Sequence, residues 1–391
     1  MISVLEARER LTGELRRSGQ TGRNVAEAAG LVVCSDIRSP IDVPSFDNSA
    51  MDGYAVAFGG SRDRWDVVTE IPAGSSSAYS VKEGEAARIY TGSPMPPGAD
   101  TVIPQELTER NGNTVFLLSN RIEKAANVRY TGSQVKAGEL VLKTGTVLTP
   151  GGVGLLSSVG LATVPVYAPP VVSVIVTGSE LREAGSSLEP GAIYNSNGPM
   201  LQAALSVLGI STCHIGRSCD DEAQLRQLIE KELDRSDLIV ISGGISVGDY
   251  DFVRTSMARL GVNELFYQVR QRPGKPLYAG KSGEKWVFAL PGNPASVLTC
   301  FNQFVKPCLK FMMGHDQVWL PDLVLPLAAD CPKKQGLTFF MKAVTENGRV
   351  RLLSGQQSFN LAAFAQADCL VELGEETDFV SAGTPVNIFL L

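Results

Sequence analysis

A chain of 391 residues, 44% hydrophobic and 19% charged, is too long for one ordinary core and predicts a soluble globular protein of roughly two to four domains. Its formal charge of −6 argues against a general nucleic-acid or anionic-membrane binder, so any anion site must be a local pocket. Seven cysteines without a Cys-x2-Cys pair, and only His214 and His315 as histidines, leave little for a zinc site or a Ser-His-Asp triad; a metal, if used, is expected to be hard and oxygen-bound.

Val4, Ala7, Leu11 and Leu15 recur at helical spacing and predict an amphipathic helix over residues 3–18. No basic stretch followed by an apolar core is visible at the start, so the expectation is a cytoplasmic protein with reduced thiols. Residues 46–56 (FDNSAMDGYAV) set Asp47, Asn48, Ser49 and Asp52 around an Asp-Gly turn. Alone, such a cluster reads as a hairpin entry, with a Mg2+ or small-molecule contact as the functional alternative. Residues 66–118 carry short β-rich runs between Gly, Pro and Ser clusters, which predicts a small, mostly β domain with a loop at 91–98. The stretch 144–179 lacks charge, but its many Gly and Pro residues predict short buried strands and turns rather than a membrane span.

Strands and helices alternate from residue 171. Strands are predicted at 171–176, 211–215, 238–241, 264–270 and 286–290, and helices at 198–208, 221–233, 252–260 and 295–313. That rhythm predicts a parallel α/β sheet. Beyond about residue 321 the pattern is β again, at 323–327, 337–343, 350–353 and 386–391, which suggests a small terminal barrel or sandwich.

Three Gly-containing loops follow predicted strands: Thr177-Gly178-Ser179-Glu180, Ser242-Gly243-Gly244-Ile245-Ser246-Val247-Gly248-Asp249-Tyr250-Asp251, and Pro291-Gly292-Asn293-Pro294-Ala295-Ser296. In an open α/β sheet such loops share the carboxyl edge of the strands, where backbone N–H groups meet ligands. Together they favour a ligand cleft, although each alone is an ordinary αβ turn. Arg272-Pro273-Gly274-Lys275-Pro276 holds two cations at a turn, either as a solvated surface feature or as a receiver of a tetrahedral oxyanion. Asp220 or Asp221, by itself, reads as the N-cap of the helix that follows. Acids (Asp52, Glu180, Asp220, Asp249, Asp251) beside anion cradles and cations, without a nucleophile–base pair, suit metal-assisted handling of phosphate or another oxyanion.

FDNSAMDGYAV, TGSPMPPGADTVIPQE (91–106), TGSEL (177–181), SGGISVGDYD (242–251), RPGKP (272–276) and LPGNPAS (290–296), in this order, resemble the molybdopterin molybdenumtransferases. That is the MoeA family, which includes the E domain of gephyrin and its plant counterpart. The resemblance spans essentially the whole chain. It implies a homodimer of four-domain subunits: a discontinuous linking and dimerisation domain (1–45 and 122–167), a small mostly β domain (46–121), a three-layer α/β molybdopterin-binding domain (168–318) and a C-terminal β-barrel (319–391). It further implies insertion of molybdate into adenylated molybdopterin with release of AMP, dependent on Mg2+ or another divalent ion. A molybdopterin adenylyltransferase partner is part of the same expectation.

Carried over by position, the resemblance assigns catalysis to Asp52, Thr91, Glu180 and Asp251, and the ion to Asp52, Asp220 and Asp251. Ser242, Gly243, Gly244, Ser246, Pro291, Gly292 and Pro294 are expected to bind the pterin substrate, and Arg272, Lys275, Ser296 and Ser358 the molybdate. The family's cleft is shared between subunits, so Asp52 is expected to act on a ligand held mainly by the other chain. Four departures stand out: Gly132-Ser133-Gln134 replaces Gly-Glu-Asp, Arg272 replaces a Lys, Ser179 an Asp, and Leu337 an Arg. Lys333, Lys334 and Lys342 are candidates to compensate for Leu337. The enzyme is the preferred reading. A scaffold that keeps the pterin cleft without turnover, or a pterin or nucleotide carrier, is the alternative.

Overall fold

Ser3 opens the first helix, Val4–Glu14, by accepting from the Glu6 N–H at 3.0 Å. The helix stops before residue 18 because Leu15 turns extended, yet Val4, Ala7 and Leu11 are buried as their spacing requires. The computed structural model describes all residues except 60–61, 76–77, 119–121, 212, 220 and 246–251. The chain divides into two units, Met1–Thr21 with Tyr167–Leu391, and Gly22–Val166.

The first unit is built on strands β1 (Val172–Thr177), β2 (Cys213–Ser218), β3 (Leu238–Ser242), β4 (Asn263–Gln268), β5 (Pro276–Ser282) and β6 (Lys285–Leu290). They form one sheet in the order β2-β1-β3-β6-β5-β4. β2, β1, β3 and β6 are parallel, as expected. Every residue of β1 and β3 is buried, the signature of parallel strands covered on both faces. Helices Glu222–Arg235 and Phe252–Arg259 supply Leu225, Ile229, Val253 and Met257 to a core with Ile175, Ile239, Ile241 and Val287. The sequence reading omits β5. It pairs antiparallel with β6 through Ser282 and Lys285, so Gly283-Glu284 is a two-residue hairpin turn and β5 runs antiparallel between β6 and the edge strand β4. The helix predicted over 295–313 is Pro294–Cys300, a π segment Phe301–Val305, and Lys306–Met312; Pro307 lacks the N–H that a regular ladder needs there.

Strands Arg349–Leu352, Thr338–Glu346, Cys369–Leu373, Pro385–Leu390 and Leu323–Pro326 are neighbours in that order at the carboxyl end. Leu327, just past the last of them, bridges Val350 in the first, which joins the two ends of the sheet in a barrel-like ring. Cys369–Leu373 and the six-residue helix Leu361–Gln366 are absent from the sequence reading; the helix is too short to show a period.

The second unit contains a six-stranded sheet of Thr101–Pro104, Gly53–Val56, Glu85–Ile89, Arg64–Ile71, Thr114–Leu117 and Thr108–Asn111, in that order. Tyr54 and Val56 pack with Trp65 and Ile103 on one face, and Ala55 packs with Ile71 and Ile89 on the other. A separate core joins Val25, Val33 and Ile37 to Leu148, Leu156, Val164 and Val166 from the far side of the sequence. The uncharged stretch holds the helix Pro150–Ser158 as well as strands, and no helix among the described residues is long and apolar enough to cross a membrane.

Candidate active site

Val176 pairs with Ser242, and Ser242 with Leu290, so the three Gly-containing loops leave the sheet side by side at its carboxyl edge. They border a cleft of about 900 Å3 lined by Thr177, Gly178, Glu180, Gly243, Gly244, Pro291, Gly292 and Pro294. Close approach explains Gly243: at φ +89°, a Cβ there would lie 2.7 Å from Thr177 Oγ1 and 2.8 Å from its carbonyl. Sequence reasoning missed Asn197, at the start of helix Asn197–Val207. Its Nδ2 donates to Ser242 Oγ at 2.8 Å and to the Gly292 carbonyl at 2.9 Å, which ties two of the loops together. The only sequence signal was the Asn195-Ser196-Asn197 run before the helix.

A second cavity of about 290 Å3 adjoins the cleft and shares Lys275, Pro276, Pro291 and Asn293 with it. Arg272, Lys275, Ser296 and Ser358 all line it, so the four residues expected to meet molybdate are together. Arg272 is placed by a short parallel pairing with Phe339 and lies 5.6 Å from that ring's centre. Among the described residues neither Arg272 nor Lys275 forms an ion pair, so both cations are available to an anion. Gly274, at φ +84°, would set a Cβ 2.4 Å from Cys300 Sγ. Burial pushes the Cys300 thiol up to about 12, which makes it a packing group rather than a nucleophile.

Ser358 reaches the small cavity from a loop pinned at several points. Its carbonyl accepts from Ala295 N–H at 3.1 Å and Ser296 N–H at 3.3 Å, and its Oγ accepts from Asn293 Nδ2 at 3.0 Å. Lys342 is 2% exposed, and its Nζ donates to the Gln357 and Asn360 carbonyls at 3.1 and 3.3 Å. Desolvation lowers the Lys342 pKa. Of the compensating candidates, Lys342 therefore acts directly on the loop that carries Gln356 and Ser358, both of which line the small cavity. Lys333 is committed to the Thr377 and Lys334 carbonyls, and Leu337 packs on the C-terminal apolar core.

In the second unit, Asp52 Oδ1 accepts from the Thr91 N–H at 2.7 Å and Thr91 Oγ1 at 2.8 Å, so two predicted site residues do meet. The Thr91 backbone bond, then its hydroxyl, hold the Asp52 pKa below the usual carboxylate value. Asp47 clamps Thr131 in the same way, consistent with turn building. Asp220, Ser246, Asp249 and Asp251 lie outside the described residues. Among the described residues no group of three His, Cys, Asp or Glu side chains is arranged to hold a metal, and Asp52 alone does not make an ion site.

A largely parallel sheet with a glycine-loop cleft and an adjoining cationic pocket defines an α/β protein with a ligand cleft at the carboxyl ends of its strands. Residues 2–160 match the MoeA N-terminal region (domain I and II), 173–310 the probable molybdopterin binding domain, and 324–391 the MoeA C-terminal region (domain IV). The chain is 36% identical to a molybdopterin molybdenumtransferase of Haemophilus influenzae, across 99% of this chain and 98% of that protein. It is 34% identical to one of Staphylococcus aureus, across 100% and 95%. The crystal structure of a molybdopterin biosynthesis moeA protein from Pyrococcus horikoshii superposes with a TM-score of 0.84 at 30% identity, with each chain fully covered. The chain belongs to the MoeA family of molybdopterin molybdenumtransferases, a transferase family of molybdenum cofactor biosynthesis.

Proposed function

We propose that this chain inserts molybdenum from molybdate into adenylated molybdopterin, releases AMP, and requires a divalent ion such as Mg2+. The observation that carries this reading is the pair of adjoining cavities joined by Lys275, Pro276, Pro291 and Asn293. The larger has the volume of a small-molecule site and takes the pterin and its phosphates against the Ser242-Gly243-Gly244 and Pro291-Gly292 backbones. The smaller holds molybdate: Lys275 supplies a point charge, Arg272 a planar fork, and Ser296 and Ser358 hydroxyl donors. A divalent ion, when bound, supplies charge neutralisation at the pyrophosphate. The family resemblance assigns Asp52, Asp220 and Asp251 as its ligands, and Thr91 and Glu180 to catalysis.

The subunit works as a cytoplasmic homodimer of the four domains given above, with Asp52 serving the partner subunit's ligand and an adenylyltransferase delivering the substrate. Separate apolar cores at 25–166 and in the α/β and C-terminal parts support that division. Leu337 in place of a family Arg favours a second reading, a weakened pterin-binding or scaffold protein. Incubating the purified chain with adenylated molybdopterin, Mg2+ and molybdate separates them. The enzyme releases AMP in step with molybdate; absence of AMP at every molybdate concentration leaves only the binding protein.

A further inference from the structure

Phe359 is 66% exposed, the highest value for an aromatic side chain among the described residues. Isolated exposed apolar residues are common and need no function. Phe359 differs in where it sits and how it is held. It lines the 900 Å3 cleft, where Ile193 (54% exposed) and Tyr194 (44%) are the other large apolar groups open to solvent. Its predecessor, Ser358, lines the oxyanion pocket.

The backbone on both sides of Phe359 is fixed. Ser358 is bound through its carbonyl to two N–H groups and through Oγ to Asn293. Asn360 caps the helix Leu361–Gln366 by accepting from Ala363 N–H at 3.2 Å, and its own N–H donates to the Gln357 carbonyl. The buried Lys342 ammonium bonds the carbonyls of Gln357 and Asn360, one on each side of Phe359. A phenyl ring is thus presented to the cleft from a loop with little freedom left to lose on binding, which is the arrangement of a preorganised contact.

The chemistry of the ring narrows its partner. A phenyl face offers nothing to phosphate or to an oxyanion, and stacks well on a flat heteroaromatic. On the functional reading above, on which this inference rests, the dithiolene must reach the oxyanion pocket, and the dithiolene carbons are part of the pterin-bearing ring system. The residue next to Ser358 therefore stands at the pterin end of the substrate, with the adenine beyond the phosphates. We propose that Phe359 is the platform on which the pterin ring system stacks, and that it thereby sets the dithiolene against the oxyanion pocket.

Binding of molybdopterin, AMP and molybdate, each added alone to the full chain, tests this in Phe359→Ala, Phe359→Leu and Phe359→Tyr. The Ala variant is expected to weaken molybdopterin binding about tenfold to a hundredfold. Leu, which keeps apolar bulk without a π face, should weaken it in the same direction, and Tyr should restore it. AMP and molybdate affinities should stay at the wild-type value, with melting temperature confirming the fold. Wild-type molybdopterin affinity in the Ala variant overturns the proposal. So does a loss confined to AMP, which assigns the ring to adenine, or a change in self-association alone, which assigns it to an interface between copies. Wild-type protein that binds no molybdopterin removes the functional reading as well, whereas wild-type binding unaffected by Phe359→Ala removes only the stacking.

Discussion

Asp52 and Thr91 are joined twice through one oxygen: the Thr91 N–H and hydroxyl both donate to Oδ1, at 2.7 and 2.8 Å. Asp36 holds Thr144 identically, at a place with no other sign of chemistry, so the clamp alone is a structural device. Asp52 feels the charge of Arg88 as Asp36 feels those of Arg38 and Lys143, and the Arg88 guanidinium also lies over Tyr54 and Tyr90.

The depressed Asp52 pKa fixes the sign of a pH effect. Stability from the charged clamp is present above the ordinary carboxylate value and is lost as pH falls through the lowered one. Asp52→Asn should therefore melt below wild type at neutral pH, and the two should converge on acidification. A gap that stays constant down to the lowest pH at which both fold contradicts this.

Gly243→Ala forces a Cβ against Thr177 Oγ1 and the Thr177 carbonyl in a left-handed backbone conformation. A cost of about 1–3 kcal/mol is expected, together with weaker molybdopterin binding, since Gly243 forms the cleft floor beside Thr177. Chemical denaturation and a binding titration check both, and wild-type values in each count against the close approach.

Lys342→Met removes a buried ammonium and leaves the Gln357 and Asn360 carbonyls without that donor. Losing the uncompensated charge and losing its hydrogen bonds act in opposite directions on stability, so the melting temperature should change little. Molybdate affinity should fall severalfold because the loop bearing Ser358 is released. Calorimetry with molybdate decides it, and unchanged affinity rejects a role for Lys342.

The proposed sharing of the cleft between subunits predicts complementation. Mixed dimers of Asp52→Ala with Lys275→Ala should recover part of the wild-type AMP release, because one of the two sites regains both residues. No recovery in verified heterodimers places Asp52 and Lys275 in the same subunit's site, or outside any common site.

The α/β part of the fold was the most legible in the sequence. Strands such as Val172–Thr177 and Leu238–Ser242 are buried on both faces and read as mainly apolar runs that lead directly into Gly178 and Gly243. β5 was not legible because it follows a Pro-Gly turn and owes its place to the Gly283-Glu284 hairpin. The cationic turn looked equally like solvated surface, and only the pairing of Arg272 with Phe339, a partner remote in sequence, brings it to a cavity. Asn197 was opaque for the same reason, since its hydrogen bonds go to residues far along the chain, and Lys342 was legible only as one of three candidate cations.

Anomalous diffraction at the molybdenum absorption edge, from crystals soaked in molybdate, tests the central claim most directly. A peak is predicted within bonding reach of Arg272, Lys275, Ser296 and Ser358 in the wild type, and its loss in Lys275→Ala. A wild-type peak elsewhere, or one that persists unchanged without Lys275, contradicts the assignment of the small cavity to molybdate.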